Sequence, residues 1–183
     1  MKITSALRYN GLPLGGHECV ITAAEDIISK KSGNSITKIC FDIEEDNEFN
    51  HYIRKLNNSI NSTRNNCNWP NEGTKYFVTE GLGAKYFNQF ISQLERVNNI
   101  KFNMPPVGED FDVSQFIGLK IGCEFGLEEY EKDGEIKTSL SILGFKTLDQ
   151  LPFVRSVYVK NINGKNIDYD IYMSEKEFLG GIE

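Results

Sequence analysis

The spacing of apolar residues changes period along the chain, and each change marks a different element. From His17 to Ala24, and again from Ile36 to Ile43, apolar and polar positions alternate, the two-residue repeat of a half-buried strand. Between them, Lys30-Lys31-Ser32-Gly33-Asn34 has the composition of a turn. A weaker alternation over Phe49–Leu56 predicts a third strand. A short run at Lys75–Thr79 predicts another piece of the same sheet, after an Asn-rich stretch that reads as loop. The period then lengthens. Leu82, Tyr86, Phe87, Phe90, Ile91, Leu94 and Val97 recur at threes and fours, which predicts an amphipathic helix over Gly81–Asn98. Lys85, Asn88, Gln89, Ser92 and Glu95 fall on its wet side, and Asn98-Asn99 suits its end.

Alternation returns after Pro105-Pro106. Ile121, Cys123, Phe125 and Leu127 share one face of a strand; Ile136, Thr138, Leu140 and Ile142 share one face of the next. Asp133-Gly134 between them is a favoured pair for a tight two-residue turn. That turn sets Lys132 opposite Glu135, Tyr130 beside Lys137, Leu127 opposite Leu140 and Phe125 opposite Ile142, with the last two pairs on one side. From Pro152 onward the pattern predicts a strand (Val154–Val159), a turn at Asn163-Gly164, a second strand (Ile167–Met173) and a helical turn capped by Ser174.

Three strands, a helix, then a strand pair define a mainly β chain with one main helix. The five-stranded OB-type barrel carries its helix between the third and fourth strands, and this order favours it. An α+β sandwich, or another barrel plugged by the helix, would also fit. Residues 1–151 are expected to form the barrel domain. Residues 152–183 are expected to form a C-terminal extension, packed on the barrel or in a dimer contact.

Charge narrows the function. A net charge of −6 argues against a general coat for duplex DNA. It leaves room for single-strand binding, where stacking carries much of the affinity and positive charge can be local. Arg54, Lys55, Arg64 and Lys75 face only Glu72 between residues 49 and 75, whereas acids outnumber bases from 76 to 151. Cys19, Cys40, Cys67 and Cys123 show no paired spacing, so neither a zinc site nor a disulfide framework is expected; the strand cysteines Cys19, Cys40 and Cys123 read as small core residues. No apolar run is long enough for a membrane span and the first residues lack a signal-peptide core, so the expected location is the cytoplasm.

Catalytic motifs are absent: no GxGxxG, Walker loop, HExxH or GxSxG occurs. Glu135-Ile136-Lys137 matches the short Glu-x-Lys signature of some metal-dependent nucleases, but it falls at a hairpin tip without a supporting acidic pair. Glu44-Glu45-Asp46 lacks the alternating ligands of a calcium loop. No catalytic residue, metal or cofactor is assigned.

A single-strand binder needs rings on which bases stack and cations within reach of phosphates. On an OB barrel the places for them are the second and third strands and the flanking loops. Mapped here, those places hold Lys30, Lys31, Tyr52, Arg54, Lys55, Arg64, Trp69, Lys75 and Tyr76, with Tyr130 and Lys137 on the last hairpin. Plainer roles compete at each position. Trp69 ahead of Pro70 could pin a loop, and Arg54-Lys55 could be an ordinary solvated edge.

Ile117-Gly118-Leu119-Lys120 through Gly122, then Glu128-Glu129-Tyr130-Glu131 with Asp133-Gly134, resembles a family of phage and prophage proteins of Gram-positive bacteria. In that family a Gly-Lys-x-x-Gly strand leads into Glu-Glu-Tyr and a Gly turn. Tyr86-Phe87-Asn88-Gln89-Phe90-Ile91 ahead of Val97-Asn98-Asn99 is similar to its aromatic helix, and Leu12-Pro13-Leu14-Gly15-Gly16-His17 to its lead-in. The resemblance covers roughly residues 10 to 151 and implies an OB-type single-stranded DNA-binding protein of phage replication or recombination. Contact with replication or recombination proteins and self-association are its further expectations. The end, Gly180-Gly181-Ile182-Glu183, is not the acidic tip with which cellular single-strand binders recruit partners, so recruitment by that route is not expected. A second reading is a protein-interaction module using the acidic residues Glu124, Glu128, Glu129 and Glu131.

Overall fold

The computed structural model describes residues 8–9, 11–61, 69–106, 108–153 and 157–180. The chain is mainly β. A two-residue ribbon, β1 (Arg8–Tyr9) with β2 (Leu12–Pro13), precedes a seven-stranded mixed sheet. The sheet contains β3 (Gly15–Ile28), β4 (Ser35–Ile43), β5 (Thr74–Val78), β6 (Lys120–Lys132), β7 (Glu135–Lys146), β8 (Tyr158–Lys160) and β9 (Asn166–Asp168). Its helices are α1 (Tyr52–Asn61), α2 (Gly83–Asn98) and α3 (Tyr169–Gly180).

Antiparallel ladders join β5 to β4, β4 to β3, β3 to β6 and β6 to β7. Counting reversals, β5 and β7 both run parallel to β3, and so to each other. No ladder joins them among the described residues, and they form the two lips of an open seam. Their side chains nonetheless meet: the rings of Phe77 and Phe145 are 5.8 Å apart between centroids. One extra residue on β3 at Thr22 and one on β7 at Leu143 break the registers and bend the sheet toward that meeting. Gly126 admits the bulged Leu143, since a Cβ there would sit 2.5 Å from its Cδ1 and 2.4 Å from the Tyr158 carbonyl oxygen.

The β6–β7 hairpin has the register its turn chemistry demands. Lys132 pairs with Glu135, Tyr130 with Lys137, Leu127 with Leu140 and Phe125 with Ile142, around a turn in which Asp133 and Gly134 both take positive φ. Helix α2 docks a phenylalanine-rich face. Phe87, Phe90, Ile91 and Leu94 are buried, and Phe90 lies 4.8 Å from both Phe77 and Phe145. Asn99, in the left-handed conformation, ends the helix.

Three expectations need correction. The strand predicted over Phe49–Leu56 is a turn followed by helix α1. Tyr52, Ile53, Leu56 and Ile60 fit a helical period as well as an alternating one, and Asp42 on β4 decides between them by accepting the backbone N–H groups of Ile53 and Arg54. The place of a third strand belongs to β5. In the C-terminal segment the second strand stops at Asp168, whose carboxylate accepts from the N–H groups of Asp170 and Ile171 and starts α3. Ser174 therefore lies inside that helix, donating to the Asp170 carbonyl, rather than at its start. Finally, Leu82 and Tyr86, placed by period on the apolar face of α2, are 94% and 71% exposed. Leu82 precedes the helix, and Tyr86 lies on the seam side.

The extension is built into the sheet. Strand β8 pairs in parallel with β6 at Leu127 and Glu128, where β7 occupies the other edge, so it continues the line of β3. Glu129 holds it there, accepting from the Ile162 N–H and the Tyr172 hydroxyl.

Near the start of β3, at the same end as β8, buried His17 ties the strand to its surroundings. Its Nε2 lies 2.6 Å from the Pro13 carbonyl and its Nδ1 lies 2.9 Å from Glu45 Oε1, two acceptors that together call for the doubly protonated ring. Burial works against that charge, but the bonds to Glu45 and Pro13 outweigh it and raise the His17 pKa above its ordinary 6.5. Glu45 is likewise opposed by burial, yet its bonds from His17 and Asn47 hold it below the ordinary 4.5. The signs follow from linkage. The histidine's contribution is complete below 6.5 and is lost as pH rises through its raised folded value; the glutamate's is complete above 4.5 and is lost as pH falls through its lowered one. The pair is therefore most stabilising between about pH 4.5 and 6.5. Melting temperatures measured from pH 5 to 8 should fall with pH more steeply for the native chain than for His17→Gln. Equal slopes would refute the assignment.

Candidate functional site

The seam between β5 and β7 opens into a groove of about 1360 Å³, floored by Phe77, Phe90 and Phe145 and walled by β5, α2, β7 and the β8–β9 turn. Its geometry follows from side-chain alternation and helical pitch. On β5, Lys75 shares a face with buried Phe77 and lies part-buried, while Tyr76 turns out with 52% exposure. On α2, Lys85, Gln89, Ser92 and Arg96 form an exposed stripe at spacings of four, three and four, with Tyr86 beside it. Strand β7 adds Lys146 after its bulge, and β8 adds Lys160.

The charge of this lining is the reverse of the charge of the chain. The whole sequence has 26 acidic and 20 basic residues. Among the described residues the groove is lined by Lys75, Lys85, Arg96, Lys146 and Lys160 and by no aspartate or glutamate. Glu128 stands nearby, 3.8 Å from the Lys160 ammonium and accepting from the Ser141 hydroxyl. Burial holds Lys75 below the ordinary lysine pKa; Glu128 opposes the shift and Lys160 adds to it. Asn88, Gln89, Gln93 and Asn166 supply neutral hydrogen-bonding groups. A groove of this kind offers cations to phosphates, exposed tyrosines to flat apolar rings, and amides to base edges.

Of the residues singled out from sequence that are described, only Lys75 and Tyr76 lie here. Tyr52 is on α1, not on a strand, and packs half-buried against the core. Arg54 and Lys55 are exposed on the first turns of α1, and Arg54 Nε lies 3.6 Å from Asp42. Trp69 has the loop-pinning role: its indole N–H donates to the Phe41 carbonyl at 2.9 Å, and the ring packs against the core. Lys30 and Lys31 are exposed at the β3–β4 turn. Tyr130 and Lys137 are cross-strand neighbours near the tip of the β6–β7 hairpin, away from the seam. Arg64 lies outside the described residues. The cluster expected between residues 51 and 76 is therefore dispersed.

Tyr86, Lys85, Arg96, Lys146 and Lys160 were missed, though part of the signal was present. Lys85, Gln89, Ser92 and Arg96 lie on one helical face, but a solvated face gives the same pattern unless another element stands opposite. Glu135 is exposed beside the hairpin turn, and among the described residues no three His, Cys, Asp or Glu side chains are gathered as metal ligands. No helix among the described residues is long and apolar enough to cross a membrane. No protein-family model matches the chain, and no curated protein matches it.

Proposed function

We propose that this protein binds single-stranded DNA with little sequence preference, as an OB-type domain of a phage replication or recombination system acting in the host cytoplasm. The observation that carries the reading is a groove whose lining, among the described residues, holds five cations and no acid in a chain that is otherwise negative. Two tyrosines at its mouth give the stacking surfaces that sequence-tolerant binding requires. The strand order supports the OB assignment. Two antiparallel triples share β3, the helix lies between β5 and β6, and the parallel lips β5 and β7 face each other, as in a partly open Greek-key barrel. The task requires no catalysis, and cofactors have no part in it.

The protein-interaction reading is less well supported. Of its four acids, Glu129 holds the C-terminal segment, and Glu128 bonds Ser141 and faces Lys160. Contacts with replication or recombination proteins, and self-association, remain part of the proposal through other surfaces.

Fluorescence anisotropy of a labelled oligo-dT at two salt concentrations tests the reading. Binding should weaken as salt rises, and duplex of the same length should bind less well. Tyr86→Ala should weaken binding roughly 5- to 150-fold, the equivalent of about 1–3 kcal/mol for one stacked base. Trp69 emission should change little on binding, because the indole is held by Phe41 rather than presented to the groove. No affinity for oligo-dT at low salt would end the proposal.

A further inference from the structure

The cations of the groove are not equivalent. Lys85 and Arg96 are exposed on α2, and Lys160 faces Glu128. Lys75 instead shares its strand face with Phe77, so its stem runs toward the aromatic floor, and the side chain is part-buried. Among the described residues no carboxylate lies within 4.0 Å of its amine and no side-chain hydrogen bond engages it, although Lys160 and Glu128 are near enough to act on it electrostatically. A phosphate would be met by the exposed cations at the rim. An amine on the floor meets what a bound strand pushes inward, which is the base or, where the base is missing, the sugar carbon that bore it.

We propose that Lys75 is a nucleophilic amine that captures an aldehyde on the bound strand, the ring-opened sugar of an abasic nucleotide, as a reversible imine. The proposal rests on the nucleic-acid reading of the groove. An ordinary nucleotide has no electrophilic carbon at this position, so the chemistry is confined to the lesion. Loss of the base leaves room in the groove and lets C1′ approach the floor. The neutral amine then adds its lone pair to the C1′ carbonyl carbon, the N–C bond forms, and the carbonyl oxygen takes up protons and departs as water. Water reverses the step and restores both the amine and the aldehyde; no oxidant or reductant takes part. Burial favours the neutral amine that the addition needs, against the opposing pull of Glu128.

Borohydride trapping decides the matter. The native protein, at saturating concentration, is mixed with a single-stranded oligonucleotide carrying one abasic site made by uracil excision. Sodium cyanoborohydride then reduces any imine to a stable secondary amine, and the adduct is mapped by peptide mass spectrometry. The expected result is an adduct on Lys75, with its yield lowered at least tenfold in Lys75→Arg and no adduct with intact oligo-dT. An adduct spread over Lys85, Lys146 and Lys160, or undiminished in Lys75→Arg, would overturn the assignment while the groove reading stood. Failure of the intact oligonucleotide to bind at all would instead overturn the groove reading. Should Lys75→Arg fail to fold, the peptide map of the native adduct decides alone.

Discussion

Reversing two charges, in a Lys85→Glu, Arg96→Glu variant, is expected to weaken oligo-dT binding by on the order of 100-fold or more at low salt. Both side chains are exposed on α2, so the helix keeps its buried face of Phe87, Phe90, Ile91 and Leu94 and the fold should persist. They stand about 16 Å apart along the helix axis at 1.5 Å per residue, far enough to meet different phosphates of one strand. Each phosphate contact to a single strand contributes about 0.7 to the slope of log affinity against log salt, so losing both should flatten that slope by about 1.4. The slope is the sharper readout. A variant that merely disturbed a neighbouring surface would lose affinity without losing this share of the salt dependence. Lys30→Glu, Lys31→Glu and Lys137→Glu, on hairpin tips away from the seam, form the comparison set. If they flatten the slope and the α2 pair does not, the nucleic acid lies on the outer strands and their loops, and the seam is not its site.

That comparison also separates what the sequence discloses from what it conceals. The β6–β7 hairpin was legible to the residue, because Asp133-Gly134 fixes a two-residue turn and a one-residue slip would send Leu127, Leu140, Phe125 and Ile142 to the wrong face. The middle of helix α2 was legible from its period: buried Phe87, Phe90, Ile91 and Leu94 are related by threes and fours. The segment after Ile43 was not. Within Tyr52–Leu56 a strand and a helix make the same apolar pattern, and the deciding group, the Asp42 carboxylate, comes from another element. The groove was hidden more deeply. Lys75, Arg96, Lys146 and Lys160 are far apart in sequence and become neighbours only because β5 and β7 run in parallel along the two lips of the seam. Counting charge along the chain instead singled out residues 49–75, where Arg54 serves the start of α1 and Trp69 fastens a loop.

Asp42 should be the most costly polar side chain to remove. It is fully buried, and one oxygen accepts three backbone N–H groups: Ile43 at 3.0 Å, Ile53 at 3.1 Å and Arg54 at 3.3 Å. Two of these are first-turn donors of α1, so a carboxylate on β4 does the work usually done by a residue at the helix's own start. The other oxygen faces His51 Nδ1 at 3.3 Å and Arg54 Nε at 3.6 Å, with hydrogen-bond geometry to neither. Asp42→Ala leaves three donors without their acceptor and should destabilise the chain by about 3–5 kcal/mol, as urea midpoints at constant m-value would show. Asp42→Asn keeps an acceptor for all three donors and places an amide N–H₂ where the second carboxylate oxygen faces His51 Nδ1 and Arg54 Nε. It loses the charge assistance and the ion pair with Arg54 but keeps the cap, so about half that cost is expected. The order of the two variants carries the argument. If Asn is as costly as Ala, the negative charge facing His51 and Arg54 outweighs the cap; if Ala costs less than about 1 kcal/mol, α1 does not depend on Asp42 for its start.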